Sequence, residues 1–121
     1  MKLLLVDDDP AIRLIAGRAL KRAGFTVAAV TNGAEALEAV RADPPDLILL
    51  DWMMPDLDGP EVCRRLKADP STAAIPIIFI TARSQKAEVA GGLALGAAGY
   101  IVKPFDALTL GDDVRALLGP T

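Results

Sequence analysis

The sequence predicts an α/β domain of three layers, a doubly wound parallel sheet of five strands with five helices covering both faces. Two observations carry this. Short apolar runs alternate with segments of helical period from one end of the chain to the other. The runs are continuously hydrophobic, as in strands buried on both faces of a parallel sheet. Length agrees: 121 residues, 52% of them hydrophobic, make one domain that buries a core without disulfides or a structural metal. With 4% aromatic residues that core is aliphatic.

The strands are expected at residues 3–6, 26–30, 46–50, 75–80 and 100–102. In the first helix Ile12, Ile15, Ala16, Ala19, Leu20 and Ala23 share one face, while Arg13, Lys21 and Arg22 leave it. Asp9 caps it, Pro10 occupies the first turn and Gly24 stops it. Thr31-Asn32-Gly33 reads as an ordinary turn. The second helix begins near Gly33, turns Ala36, Leu37 and Val40 inward, and is followed by Pro44-Pro45. The third starts about Pro60, presents Val62, Cys63 and Leu66, and breaks at Asp69-Pro70. A fourth is expected over residues 84–95 and a fifth over 106–118, with Leu110, Val114, Leu117 and Leu118 on one side. The domain takes the whole chain, residues 1–121, with a core at 2–118 and 119–121 as a tail or the start of a linker.

Charge and composition narrow the function. A net charge of −3 provides no excess of cations for nucleic acid or an anionic membrane, so neither is expected as a direct partner. The absence of histidine and the single cysteine, Cys63, exclude zinc sites and Cys/His or Ser/His catalysis. Cys63 reads as core. The apolar start is too short for a signal-peptide core and meets three aspartates, so a cytoplasmic location is expected.

Open parallel sheets bind ligands beyond the carboxyl ends of their strands, at a topological switch point. Those ends carry Asp7, Asp8 and Asp9 after the first strand, Asp51 after the third, Thr81 after the fourth and Lys103-Pro104 after the fifth. Carboxylates about 4 Å apart repel by about 4 kcal/mol at an effective dielectric of 20, so the cluster either raises a pKa or holds a cation. Oxygen-only donors suit a hard divalent ion such as Mg²⁺, with Lys103 as a second positive charge. Together with a hydroxyl they make a place for a phosphoryl group.

Four segments, Leu3–Pro10, Leu47–Gly59, Ile80-Thr81-Ala82 and Tyr100–Phe105, resemble the receiver domains of bacterial two-component response regulators, of the chemotaxis-regulator-like kind. The resemblance implies a flavodoxin-like sheet of order 2-1-3-4-5 and makes Asp51 the phosphoacceptor. It makes Asp7, Asp8, Asp51 and the backbone carbonyl of Met53 the share of the protein in binding Mg²⁺ (or Mn²⁺). Thr81 matches the switch hydroxyl, Tyr100 the switch aromatic and Lys103 the phosphate-binding lysine, with a cis Lys103-Pro104 peptide. The partners implied are a histidine kinase or phosphotransfer protein, and an output partner on the face of helix 4, strand 5 and helix 5. A homodimer on activation belongs to the same expectation. The chain would be a phosphoacceptor that assists its own phosphorylation and dephosphorylation rather than an enzyme.

Met53 and Arg83 match positions that tune phosphoryl lifetime in such domains. Neither can act as a base for water, so slow decay is expected. No charge occurs from Val89 through Val102, and Gly91-Gly92 weakens the fourth helix, which reads as mobile or as an apolar docking or dimer face. Trp52, beside the acceptor, is expected half-exposed. An aspartyl-phosphate hydrolase needs an acid two residues after its nucleophile, where Met53 stands; a flavin module would not place three aspartates in its phosphate loop. The remaining rival is a receiver-like docking module that works without phosphorylation.

Overall fold

Leu3 and Leu5 belong to one buried cluster and Leu4 and Val6 to another, as a strand with side chains alternating between two covered faces demands. A computed structural model of the chain describes residues 1–82, 87 and 93–119. Its elements are β1 (Lys2–Val6), α1 (Pro10–Arg22), β2 (Thr26–Val30), α2 (Gly33–Ala42), β3 (Leu47–Asp51), α3 (Gly59–Ala68), β4 (Ile77–Ala82), β5 (Gly99–Lys103) and α4 (Leu110–Leu118), with a 3₁₀ turn at Leu93–Leu95. The strands pair in parallel in the order β2-β1-β3-β4-β5. The order reverses between β1 and β3, which puts the ligand crevice at the ends that carry Asp7 and Asp51.

Alternate residues of β1, β3 and β4 divide the core. Leu4, Val6, Ile48, Leu50, Ile77 and Phe79 pack with Ala36, Leu37 and Val40 of α2 and Val62, Cys63 and Leu66 of α3. Leu3, Leu5, Leu47, Leu49, Ile78 and Ile80 pack on the other side with Ala16, Ala19 and Leu20 of α1 and Leu110 and Val114 of α4. The Cys63 thiol is buried in the first layer, and that burial pushes its pKa up, consistent with an unreactive core residue.

Helix starts are set by side-chain caps. Asp9 accepts from the Ala11 N–H with Pro10 in the first turn, and Asp58 accepts from the Glu61 N–H ahead of Pro60. Asn32 accepts from the Glu35 N–H at 2.8 Å, and Glu35 reaches back to the N–H and hydroxyl of Thr31. Asn32 is thus the helix cap, with Glu35 reaching one residue beyond it to Thr31 in a variant of the capping box, so Thr31-Asn32-Gly33 is a helix start rather than an ordinary turn. Asn32→Ala is expected to cost about 1 kcal/mol, read as a lower urea midpoint at unchanged slope.

Several expectations are corrected. The edge strand β2 is not buried on both faces: Thr26, Ala28 and Ala29 are exposed, and only Val27 and Val30 pack against the core layers. Ile15 is 48% exposed and lies off the buried face of α1, which Ala16, Gly17, Ala19 and Leu20 make instead. The last helix starts at Leu110 rather than about residue 106. The Asp106 carboxylate accepts from the Leu108 N–H and its carbonyl from the Thr109 N–H, a local turn that competes with helix. Strands β3, β4 and β5 run on to Asp51, Ala82 and Lys103, so Asp51, Thr81 and Lys103 lie within the strand ends rather than after them. The helix expected over residues 84–95 falls outside the described residues apart from Ala87 and the 3₁₀ turn, as do residues 89–92 of the uncharged stretch. Among the described residues no helix is long and apolar enough to cross a membrane.

Candidate functional site

Parallel pairing in register carries Asp7 and Asp51 to one edge. Val6 pairs with Leu50, so the next residue of each strand lies beside the other. Asp7 is fully buried and Asp51 is 5% exposed, whereas Asp8 is exposed. One carboxylate oxygen from each of Asp7, Asp8 and Asp51 lies within 4.8 Å of the others. Lys103, at the end of β5, brings its ammonium 3.0 Å from Asp7 Oδ2 and 3.5 Å from Asp51 Oδ1. The Lys103-Pro104 peptide that follows is cis, as the resemblance implied.

Electrostatics follow from this crowding. Burial raises the Asp51 pKa to about 7, the Asp7 charge adds to the rise, Lys103 opposes it, and Asp8 contributes further. Burial works against the Lys103 charge, but close contact with Asp7 and the negative charges of Asp51 and Asp7 outweigh it and hold the ammonium above its ordinary value. Asp7 Oδ1 accepts from the Asp9 N–H at 2.9 Å, while Asp7 Oδ2 is buried with no hydrogen-bond partner and faces Lys103 as an ion pair alone. Three carboxylates, one of them with a buried oxygen that makes no hydrogen bond, fit a hard divalent cation.

The loop after β3 is held tightly against the site. A Cβ on Gly59 would stand 2.3 Å from the Asp51 carbonyl, so only glycine lets α3 begin there. The Gly59 N–H donates to the Trp52 carbonyl at 3.1 Å. Trp52 is half-buried as expected, its ring set edge-on to Phe79 at 4.8 Å. Met53 is 65% exposed.

The other sites expected from sequence are placed as follows. Thr81 is fully buried one residue beyond Ile80, the register partner of Asp51, and its hydroxyl donates to the Ala82 carbonyl at 3.2 Å. Tyr100 pairs with Phe79 and packs against the α2–α3 layer, half-buried and three residues before Lys103. Arg83 lies outside the described residues.

One residue at the site was read wrongly from sequence. Arg13 does not simply leave the apolar face of α1: it turns back, and Nη1 donates to the Asp7 carbonyl at 2.8 Å. An arginine in the first turns of the helix whose start abuts an acidic pair is the signal that could have found it.

The fold and the site together define an α/β domain of the flavodoxin-like kind, with an acidic cluster and a lysine at the switch point. Residues 3–115 match the family model of the response regulator receiver domain, and the chain belongs to that family. It is 46% identical over 115 residues, 95% of its length, to the transcriptional regulatory protein CseB of Streptomyces coelicolor, of which it covers 48%. The chain spans about half the length of the curated relatives it matches. Among solved structures it is similar to the chemotaxis response regulator CheY4 of Vibrio cholerae, at a TM-score of 0.88 and 31% identity over 96% of this chain and 97% of that one. It is also similar to the receiver domain of a signal transduction histidine kinase from Syntrophus aciditrophicus, at a TM-score of 0.85 and 35% identity over 97% of this chain and 89% of that one.

Proposed function

We propose that this receiver domain is a phosphoacceptor switch that takes a phosphoryl group onto Asp51 from a phosphohistidine or a small acyl phosphate. The observation that carries the reading is Asp51 itself, a buried carboxylate at a strand end with two further carboxylates and the Lys103 ammonium around it. Asp7, Asp8 and Asp51, with the Met53 backbone carbonyl, would hold Mg²⁺ or Mn²⁺. The ion supplies positive charge for the oxygens of a transferring phosphoryl group.

An oxygen of ionised Asp51 attacks phosphorus, a P–O bond forms, and the P–N bond to the imidazole breaks with its electron pair leaving on nitrogen. Lys103, whose ammonium meets both Asp7 and Asp51, stabilises the charge on the phosphoryl oxygens. Water later cleaves the acyl phosphate to inorganic phosphate and restores the carboxylate. Met53 and Arg83 match positions that tune phosphoryl lifetime in such domains, and neither side chain is a general base, so the phosphoryl group is long-lived. The Thr81 hydroxyl turns from the Ala82 carbonyl to a phosphoryl oxygen, and Tyr100 moves into the space it leaves, a two-state change driven by one new local charge. The donor is a histidine kinase or phosphotransfer protein in the cytoplasm. The output partner, another domain, another protein or a second copy, reads the face around β5 and α4.

Trp52 reports the test. Its fluorescence is expected to change on adding Mg²⁺ and again on adding beryllofluoride, with both responses lost in Asp51→Asn. A metal response without a phosphoryl adduct by intact mass after acetyl phosphate would favour a docking module that works without phosphorylation.

A further inference from the structure

We propose that Arg13 is a positioning residue for the acidic site, holding the Asp7–Asp8 peptide so that both carboxylates stay turned toward Asp51. The inference rests on the phosphoacceptor reading above and adds a residue to it. Each oxygen of Asp7 has its own partner: Oδ1 the Asp9 N–H, Oδ2 the Lys103 ammonium, and the carbonyl the Arg13 guanidinium. Asp8 differs. Its exposed carboxylate is placed by the backbone that bears it, and the carbonyl of the peptide entering Asp8 is the one Arg13 takes at 2.8 Å.

The anchor is itself well held. Arg13 sits in α1, whose start is fixed by the Asp9 cap and Pro10, and the Arg13 N–H donates to the Asp9 carbonyl at 3.0 Å. The span Asp7–Arg13 is therefore a closed unit, tied by the Asp9 cap at the helix start and by the Arg13 contact to the Asp7 carbonyl. Arg13 is half-buried, and its contact with the Asp7 carbonyl is part-buried as well.

Charge and position predict opposite signs, which makes the proposal decidable. Were Arg13 merely a cation near the cluster, its removal would tighten binding of Mg²⁺ by lifting repulsion. If it holds the loop, its removal weakens binding, because the two aspartates must be ordered anew as the ion binds.

The test is titration of Trp52 fluorescence with Mg²⁺ in wild type, Arg13→Met and Arg13→Lys, with backbone amide exchange at Asp8 and Asp9 measured without metal. Arg13→Met is expected to weaken Mg²⁺ binding about tenfold, as losing a residue that supports metal ligands does, and to speed exchange at both amides. Arg13→Lys, which keeps a donor, recovers part of both. Unchanged or tighter Mg²⁺ binding by Arg13→Met, or unaltered exchange, overturns the proposal. Arg13→Gln decides by the same sign if the methionine variant does not fold. Absence of Mg²⁺ binding by the wild type overturns the phosphoacceptor reading and this one with it, whereas binding retained in full by Arg13→Met overturns the role of Arg13 alone.

Discussion

Asp51→Asn is expected to take up no phosphoryl group from acetyl phosphate and, without metal at pH 8, to be more stable than the wild type. The two effects share one cause. Burial and the neighbouring aspartates raise the Asp51 pKa from an ordinary 3.8 to about 7. A carboxyl raised in this way keeps its folded-state advantage below pH 4, and loses it as pH climbs through 7, because the unfolded chain gives up the proton sooner. At pH 8 the wild type therefore carries the whole penalty and the neutral amide none. At about 1.4 kcal/mol per pK unit, discounted for charge shared with Asp7 and Asp8, the gain is about 2–3 kcal/mol. Urea denaturation at pH 8 and pH 4 checks it: the variant exceeds the wild type at pH 8, and the gap closes at pH 4. Mg²⁺ stabilises the wild type more than the variant, since it binds the ionised cluster. A variant less stable than wild type at pH 8 would show that the Asp51 charge is already compensated.

Lys103→Met moves stability the other way. The ammonium is 3.0 Å from a carboxylate oxygen of Asp7, whose side chain is fully buried, and its loss leaves that charge without its ion-pair partner. Removing one member of a buried pair costs about 3–5 kcal/mol, and with the Lys103 side chain 23% exposed we expect about 2–4 kcal/mol at pH 8. Added Mg²⁺ restores part of this, as a second source of positive charge. Phosphoryl uptake falls by about 10²-fold or more, the scale of losing one preorganised electrostatic contact to a transferring group. Denaturation with and without Mg²⁺, beside the rate of adduct formation by intact mass, measures both. Wild-type stability at pH 8 would mean that solvent already screens the pair.

Much of this molecule was legible before folding. Continuous runs such as Leu47–Leu50 state that both faces of a strand are covered, and the alternation of Leu3 and Leu5 with Leu4 and Val6 then sorts itself between two layers. The Asp9 cap and the stop at Gly24 act within a few residues, so local sequence reveals them. The site was legible for a different reason: in a parallel sheet the strand ends lie at one edge, and residues there converge whatever the crossovers do.

What escaped depended on neighbours distant in the chain. Thr26–Val30 has the same apolar character as the central strands, yet only Val27 and Val30 pack against the core layers, and Ala28 and Ala29 stay in solvent. Ile15 has the right helical phase for burial, and α1 turns slightly to bury Gly17 instead. Arg13 shares the helical phase of Ala16, Gly17 and Leu20, and only its charge suggested an outward course; its long side chain ends on the Asp7 carbonyl.

The sequence by itself determined the fold class, the strands, most helix boundaries and the chemical types gathered at the switch point, because these follow from periodicity, caps and parallel topology. Only the tertiary structure decided which oxygen each cation meets. It set Lys103 between Asp7 and Asp51, left Asp7 Oδ2 without a hydrogen bond, and turned Arg13 back onto the Asp7 carbonyl. Distances of a few ångströms between side chains from different elements set those charges, and they arise from packing two layers on a sheet rather than from any local run of residues.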